Sequence, residues 1–100
     1  ARLTQTRQEA QADRQAATAR LSASTSRVSA ADAGVTSAEE AYRLMRIGFE
    51  AGRLSQLELS ATRAALVNAR NAAVDARLAR VRAEIDMARL QGRAPFGGTQ

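Results

Sequence analysis

The sequence predicts an all-α chain, a long antiparallel two-helix coiled-coil hairpin. Three observations carry that expectation. Proline occurs once in 100 residues, at Pro95, so the commonest interruption of a helix is missing until the chain is nearly finished. Apolar residues make up 45% of the chain, yet 24 residues are alanine and only three are aromatic. Burying a large side chain gains about 1.5–3 kcal/mol and an alanine much less, so such a chain gains stability from long, close helix contact rather than from a thick core. Larger apolar residues, finally, recur at seven-residue spacing on either side of one short break.

The first helix is expected over 1–50. Leu21, Val28, Val35, Tyr42 and Phe49 form one position of a heptad, with Ala17, Ser24, Ala31, Ala38 and Met45 between them at the other; this is an a/d seam. Arg7 and Arg14 fall on the same seam, so the first two turns are expected to splay or fray. A hairpin tip is expected at 51–54, because Gly52 can take the positive φ that ends a helix. Ser55 and Glu58 then have the spacing of a capping box, in which hydroxyl and carboxylate satisfy each other's backbone amides, and Leu54 and Leu59 stand where a hydrophobic staple would put them. The second helix is expected over 55–91. Its seam is read as Leu57, Ala64, Asn71, Leu78 and Ile85 alternating with Ser60, Val67, Val74, Val81 and Ala88, Asn71 being a lone polar residue of the kind that fixes register. Residues 92–100, with Gly92 and Pro95, read as a linker with a mobile end.

Each helix also carries a second phased seam of small residues. On the first it is Ala12, Ala16, Ala19, Ala23, Ser26, Ala30, Ala33 and Ser37; on the second, Ala65, Ala69, Ala72, Ala76, Ala79 and Ala83. Small residues at such spacing let helix axes approach closely. Alanine also fills exposed helix positions through propensity alone, but phased small residues suit helices with neighbours on two sides. The hairpin is therefore read as a segment of a sheet of helices, either curved or closed into a multi-helix α-barrel, since a lone hairpin would leave one alanine face of each helix wet.

Composition excludes several functions. With no Cys and no His, disulfides, zinc sites, thiol nucleophiles and imidazole proton transfer are ruled out, and Glu84 and Asp86, two apart on a helix, point to different faces. Neither an enzyme nor a cofactor is expected. No apolar run has the roughly 18 residues of a membrane-spanning helix, and a chain beginning in mid-pattern with Ala1-Arg-Leu-Thr-Gln reads as a piece of a longer protein. All fifteen basic residues are arginine, against ten acids. They are spread along the chain among acids and without aromatic stacking partners, which describes a solvated helix surface better than a nucleic-acid groove.

The stretch Ala38-Glu-Glu-Ala-Tyr-Arg-Leu-Met-Arg-Ile-Gly-Phe-Glu-Ala-Gly-Arg-Leu-Ser-Gln-Leu-Glu-Leu59, followed by an Ala- and Arg-rich helix to Gly92, resembles the C-terminal periplasmic helical hairpin of the TolC-like outer-membrane efflux proteins. The family pattern is matched at Phe49, Gly52, Ser55, Leu57, Glu58 and Leu59. The resemblance implies a homotrimer whose helices close into a periplasmic α-barrel below an outer-membrane β-barrel. It implies export in a tripartite system with a periplasmic adaptor and, through it, an inner-membrane transporter. Carried over residue by residue, Gly52, Arg53, Leu54, Ser55 and Leu57 would form the tip that meets the adaptor. Arg46, Phe49 and Glu58 would be entrance or gating residues, Arg46 and Arg53 through ion pairs between hairpins. Ala61 stands where some relatives have a second acid, which removes a double acidic ring from the expectation. Gly52, Ser55 and Glu58 are also accounted for by helix termination and capping alone.

Two other readings remain open at this point. The chain could be the coiled-coil hairpin of a periplasmic adaptor, of which Ala94-Pro-Phe-Gly97 is an echo. It could also be an RNA-binding coiled-coil arm, with Arg63, Arg70 and Arg77 as a phosphate-contacting stripe.

Overall fold

The computed structural model describes residues 2–92. Two helices, α1 (Arg2–Glu50) and α2 (Gln56–Gly92), pack against each other across the turn 51–55, and the described residues contain no strand. Gly92 closes α2; the rest of the expected linker, Pro95 and the Ala94-Pro-Phe-Gly97 run included, lies outside the described residues. Hydroxyl side chains inside the helices are satisfied locally. Thr18, Thr25, Thr36 and Thr62 each donate to the carbonyl four residues back, at 2.9–3.2 Å, back-bonds that satisfy the hydroxyl at a slight cost to the helix.

The chain divides into two compact units. The unit that carries the turn is Arg27–Ala76. Here α1 buries Val28 and half-buries Ala31, Val35, Ala38, Tyr42, Met45 and Phe49, the seam its heptad predicts. On α2 the inward residues are Leu59, Leu66, Ala73 and Ala76, with Thr62 and Ala69 half-buried. The expected α2 seam is thereby corrected. Leu57 is 78% exposed and Val74 55%, while Ser60, Ala64, Val67 and Asn71 are exposed as well. Asn71 therefore does not fix register between α1 and α2. The two candidate seams begin two residues apart, at Leu57 and Leu59, which at 3.6 residues per turn is a rotation of about 200°; they occupy opposite faces. The inward face is the one whose alanines leave room for the large side chains of α1, a large-against-small interdigitation that fills space without strain.

The second unit is formed by the stretch ending at Ser26 and the stretch beginning at Arg77. Among its described residues the buried ones are small: Ala17, Ser24 and Ala83. Ser24 satisfies its hydroxyl on the Leu21 carbonyl at 2.8 Å. Arg80 sits at an inward position, half-buried; its Nε is buried without a hydrogen-bond partner and lies 3.9 Å from the Glu84 carboxylate one turn along. The helix continues through Arg7 and Arg14, both exposed. Leu78, Val81 and Ile85, read as seam residues, are 41–50% exposed, again because the inward face is the alanine-bearing one. The second seam of α1, from Ala12 to Ser37, is exposed throughout. Its counterpart on α2 is instead partly the inner contact, with Ala76 and Ala83 buried and Ala69 and Ala79 half-buried.

Candidate docking tip

The end of α1 is built residue by residue from backbone hydrogen bonds. Ala51 N–H donates to the Ile47 carbonyl at 3.0 Å as the last helical bond. Gly52, with φ +79°, then turns the chain, and its N–H reaches the Phe49 carbonyl at 2.9 Å while Arg53 N–H reaches the Gly48 carbonyl at 2.9 Å. This pair of bonds is a Schellman motif, which satisfies carbonyls that the helix end would otherwise leave open. A side chain at Gly52 would meet nothing within 4 Å. The requirement for glycine there is conformational, since the left-handed region costs an L-residue about 1–2 kcal/mol.

The start of α2 is closed by the capping box. Glu58 N–H donates to Ser55 Oγ at 3.1 Å, Ser55 N–H donates to Glu58 Oε2 at 3.4 Å, and Leu59 N–H makes the first helical bond to the Ser55 carbonyl at 3.1 Å. Glu58 also places a negative charge in the first turn, where the helix dipole favours one.

Of the remaining expected site residues, Leu57 projects outward and Arg53 is exposed, while Leu54 and Phe49 are half-buried. Arg46 lies with its Nε 3.7 Å from Glu50 Oε2, one turn along its own helix, an exposed pair of the kind typically worth under about 1 kcal/mol. One residue went unnoticed in the sequence. Gly48 lies against Leu54 so closely that a Cβ on it would be 2.7 Å from Leu54 Cδ1; its only signal in the sequence is a glycine in the last turn of a helix that could have held alanine.

Beyond the turn, within the same unit, Arg63 Nη2 donates to the Tyr42 hydroxyl at 3.2 Å with its guanidinium 5.8 Å from the ring centroid, a cation–π arrangement. Arg70 Nη2 donates to Glu39 Oε2 at 3.4 Å. These two cross-helix pairs border a groove of about 480 Å³ that Leu66 and Val67 also line. A smaller groove, about 260 Å³, lies in the other unit between Asp13, Arg20, Asp86 and Arg89. On the outer side of α1, the Arg43 guanidinium hydrogen-bonds Glu40 at 2.6 Å. That hydrogen bond, and then the charge behind it, holds the Glu40 carboxyl below its ordinary value and raises Arg43. Among the described residues no group of three or more His, Cys, Asp or Glu is placed to hold a metal ion, and no helix is long and apolar enough to cross a membrane.

The family model for outer membrane efflux proteins matches residues 1–93. The chain belongs to the outer membrane efflux protein family. No curated protein and no solved structure matches it. The helical hairpin is what a TolC-like member contributes to a helical barrel, and members of the family are outer-membrane efflux channels, not enzymes, that work in tripartite systems with an adaptor and an inner-membrane transporter. Membership over nearly the whole chain sets aside the adaptor reading. The same membership sets aside the RNA-arm reading.

Proposed function

We propose that this chain is a periplasmic α-barrel hairpin of a trimeric efflux duct, and that its tip docks the periplasmic adaptor and gates the entrance. Gly52, Ser55 and Glu58 build the tip. Arg53, Leu54 and Leu57 are assigned to the docking surface, and Arg46 and Phe49 with Glu58 to the entrance. The observation that carries this reading is the exposed Leu57 beside a turn closed on both sides. An exposed leucine is unremarkable by itself, but one held at the end of a helical hairpin of an efflux protein is placed for a partner. Gating is then a two-state matter: closed while contacts between hairpins persist, and open when the adaptor offers a better set.

The test is photo-crosslinking from position 53 in the full-length parent protein in its own cell envelope, with products identified by mass spectrometry. An adaptor hairpin in the product is expected. An assembled, outer-membrane-localised protein that yields no adaptor product would refute the assignment.

A further inference from the structure

Among the four described glycines, Gly34, Gly52 and Gly92 have open space where a Cβ would stand, whereas at Gly48 it would meet Leu54 Cδ1 at 2.7 Å and Leu54 Cγ at 3.2 Å. The missing side chain at 48 is therefore occupied volume. Leu54 fills it, which is why Leu54 is half-buried while Leu57, three residues on, stands out in solvent. Gly48 holds the turn a second time through its carbonyl, which accepts the Arg53 amide at 2.9 Å. One residue in the last turn of α1 thus fixes both the backbone at 53 and the side chain at 54.

Leu54 needs such an anchor. It lies after the left-handed Gly52 and before the Ser55 cap, outside both helices. The Schellman bonds end at Arg53 and the capping bonds begin at Ser55. Between them, the seat on Gly48 is a side-chain contact that ties the linking residue down.

We infer that Gly48 and Leu54 form a positioning lock: Leu54 seated on Gly48 sets the direction in which Arg53 and Leu57 face the docking partner, and neither lock residue touches that partner. This inference rests on the docking reading above and changes the role assigned to Leu54, from contact to anchor. Substituting alanine for Gly48 favours the helix and so leaves α1 intact, but the methyl group takes the seat of Leu54. The lock fails without the helix failing.

The experiment uses the full-length protein with the photo-crosslinker at position 57, comparing the parent with Gly48→Ala, Leu54→Ala, the double variant and Leu54→Met. Membrane-assembled protein is quantified alongside each. The lock predicts unchanged assembly and a drop in adaptor product of about fivefold or more in each alanine variant, with the double variant no worse than either single one, the non-additivity expected of two residues acting as a unit. Leu54→Met, whose flexible side chain can still fill the seat, should stay within about twofold of the parent. A loss in Leu54→Ala with Gly48→Ala unchanged would overturn the lock and restore Leu54 as a direct contact. Additive losses would likewise overturn it. If the parent itself yields no adaptor product, the docking reading falls and the lock falls with it.

Discussion

The same substitution, glycine to alanine, should act with opposite sign at two positions of this chain. At Gly34, inside α1 and with nothing within 4 Å of a new Cβ, alanine adds no clash and removes the entropic cost of a helical glycine, a gain of about 0.5–1 kcal/mol. At Gly52 the space is equally open, but φ is +79°. Alanine there takes on the left-handed penalty of about 1–2 kcal/mol, offset in part by an unfolded chain made about 0.4–1 kcal/mol less free. The net expectation is a loss of up to about 1.5 kcal/mol, which puts the two variants about 0.5–2.5 kcal/mol apart, a factor of roughly 2–70 in the unfolding equilibrium. Urea unfolding followed by circular dichroism, at one protein concentration, reads the difference as a shift in midpoint at constant slope. Equal stability of the two variants, or a stabilised Gly52→Ala, would refute the claim that the turn depends on a left-handed residue.

Three further outcomes are expected. Ser55→Ala removes the acceptor for the Glu58 amide and should cost about 1 kcal/mol, with a range of about 0.5–2, measured in the same unfolding assay. Leu66→Ala, at a 6% exposed inward position, should cost about 2–5 kcal/mol, whereas Val74→Ala on the opposite face should stay within about 0.5 kcal/mol; the reverse order would mean the heptad beginning at Leu57 faces α1 after all. Glu40, whose carboxyl is held below its ordinary value by Arg43, contributes stability that is present above the ordinary carboxylate pKa and is lost as pH falls through the lowered one. Glu40→Gln should flatten the acid limb of a thermal-melting pH profile in that window alone, and a variant differing equally at neutral and acid pH would contradict the assignment.

What the sequence disclosed follows from how many explanations each residue type admits. The α1 seam was legible because its large residues, from Leu21 to Phe49, nearly all share one face. The tip was legible because Gly52 and the pair Ser55 and Glu58 carry out functions that few other residues can. The α2 seam was not. The rule that large apolar residues face the nearest partner assigns Val67, Val74 and Leu78 inward, and an alanine says equally well that it is a helix former or that it lies in a close contact. Leu59, Leu66 and, further along, the half-buried Met87 mark the true inner face by size, and Leu57 masks them. Gly48 escaped notice because its use is steric, and a steric notch depends on where another residue's side chain, that of Leu54, comes to rest.

The closed turn also sets the terms on which a partner could bind. Six amides around it, those of Ala51, Gly52, Arg53, Ser55, Glu58 and Leu59, are already committed to acceptors within the chain. Ordering one residue's backbone costs about 1–2 kcal/mol, and here that loss is taken when the hairpin folds, not when it meets another molecule. Association would then proceed between preformed surfaces, at the roughly 10⁵–10⁷ M⁻¹ s⁻¹ usual for docking two specific patches. With those six amides occupied, the tip offers a partner mainly its side chains, so single substitutions that keep the turn intact could exchange one partner for another.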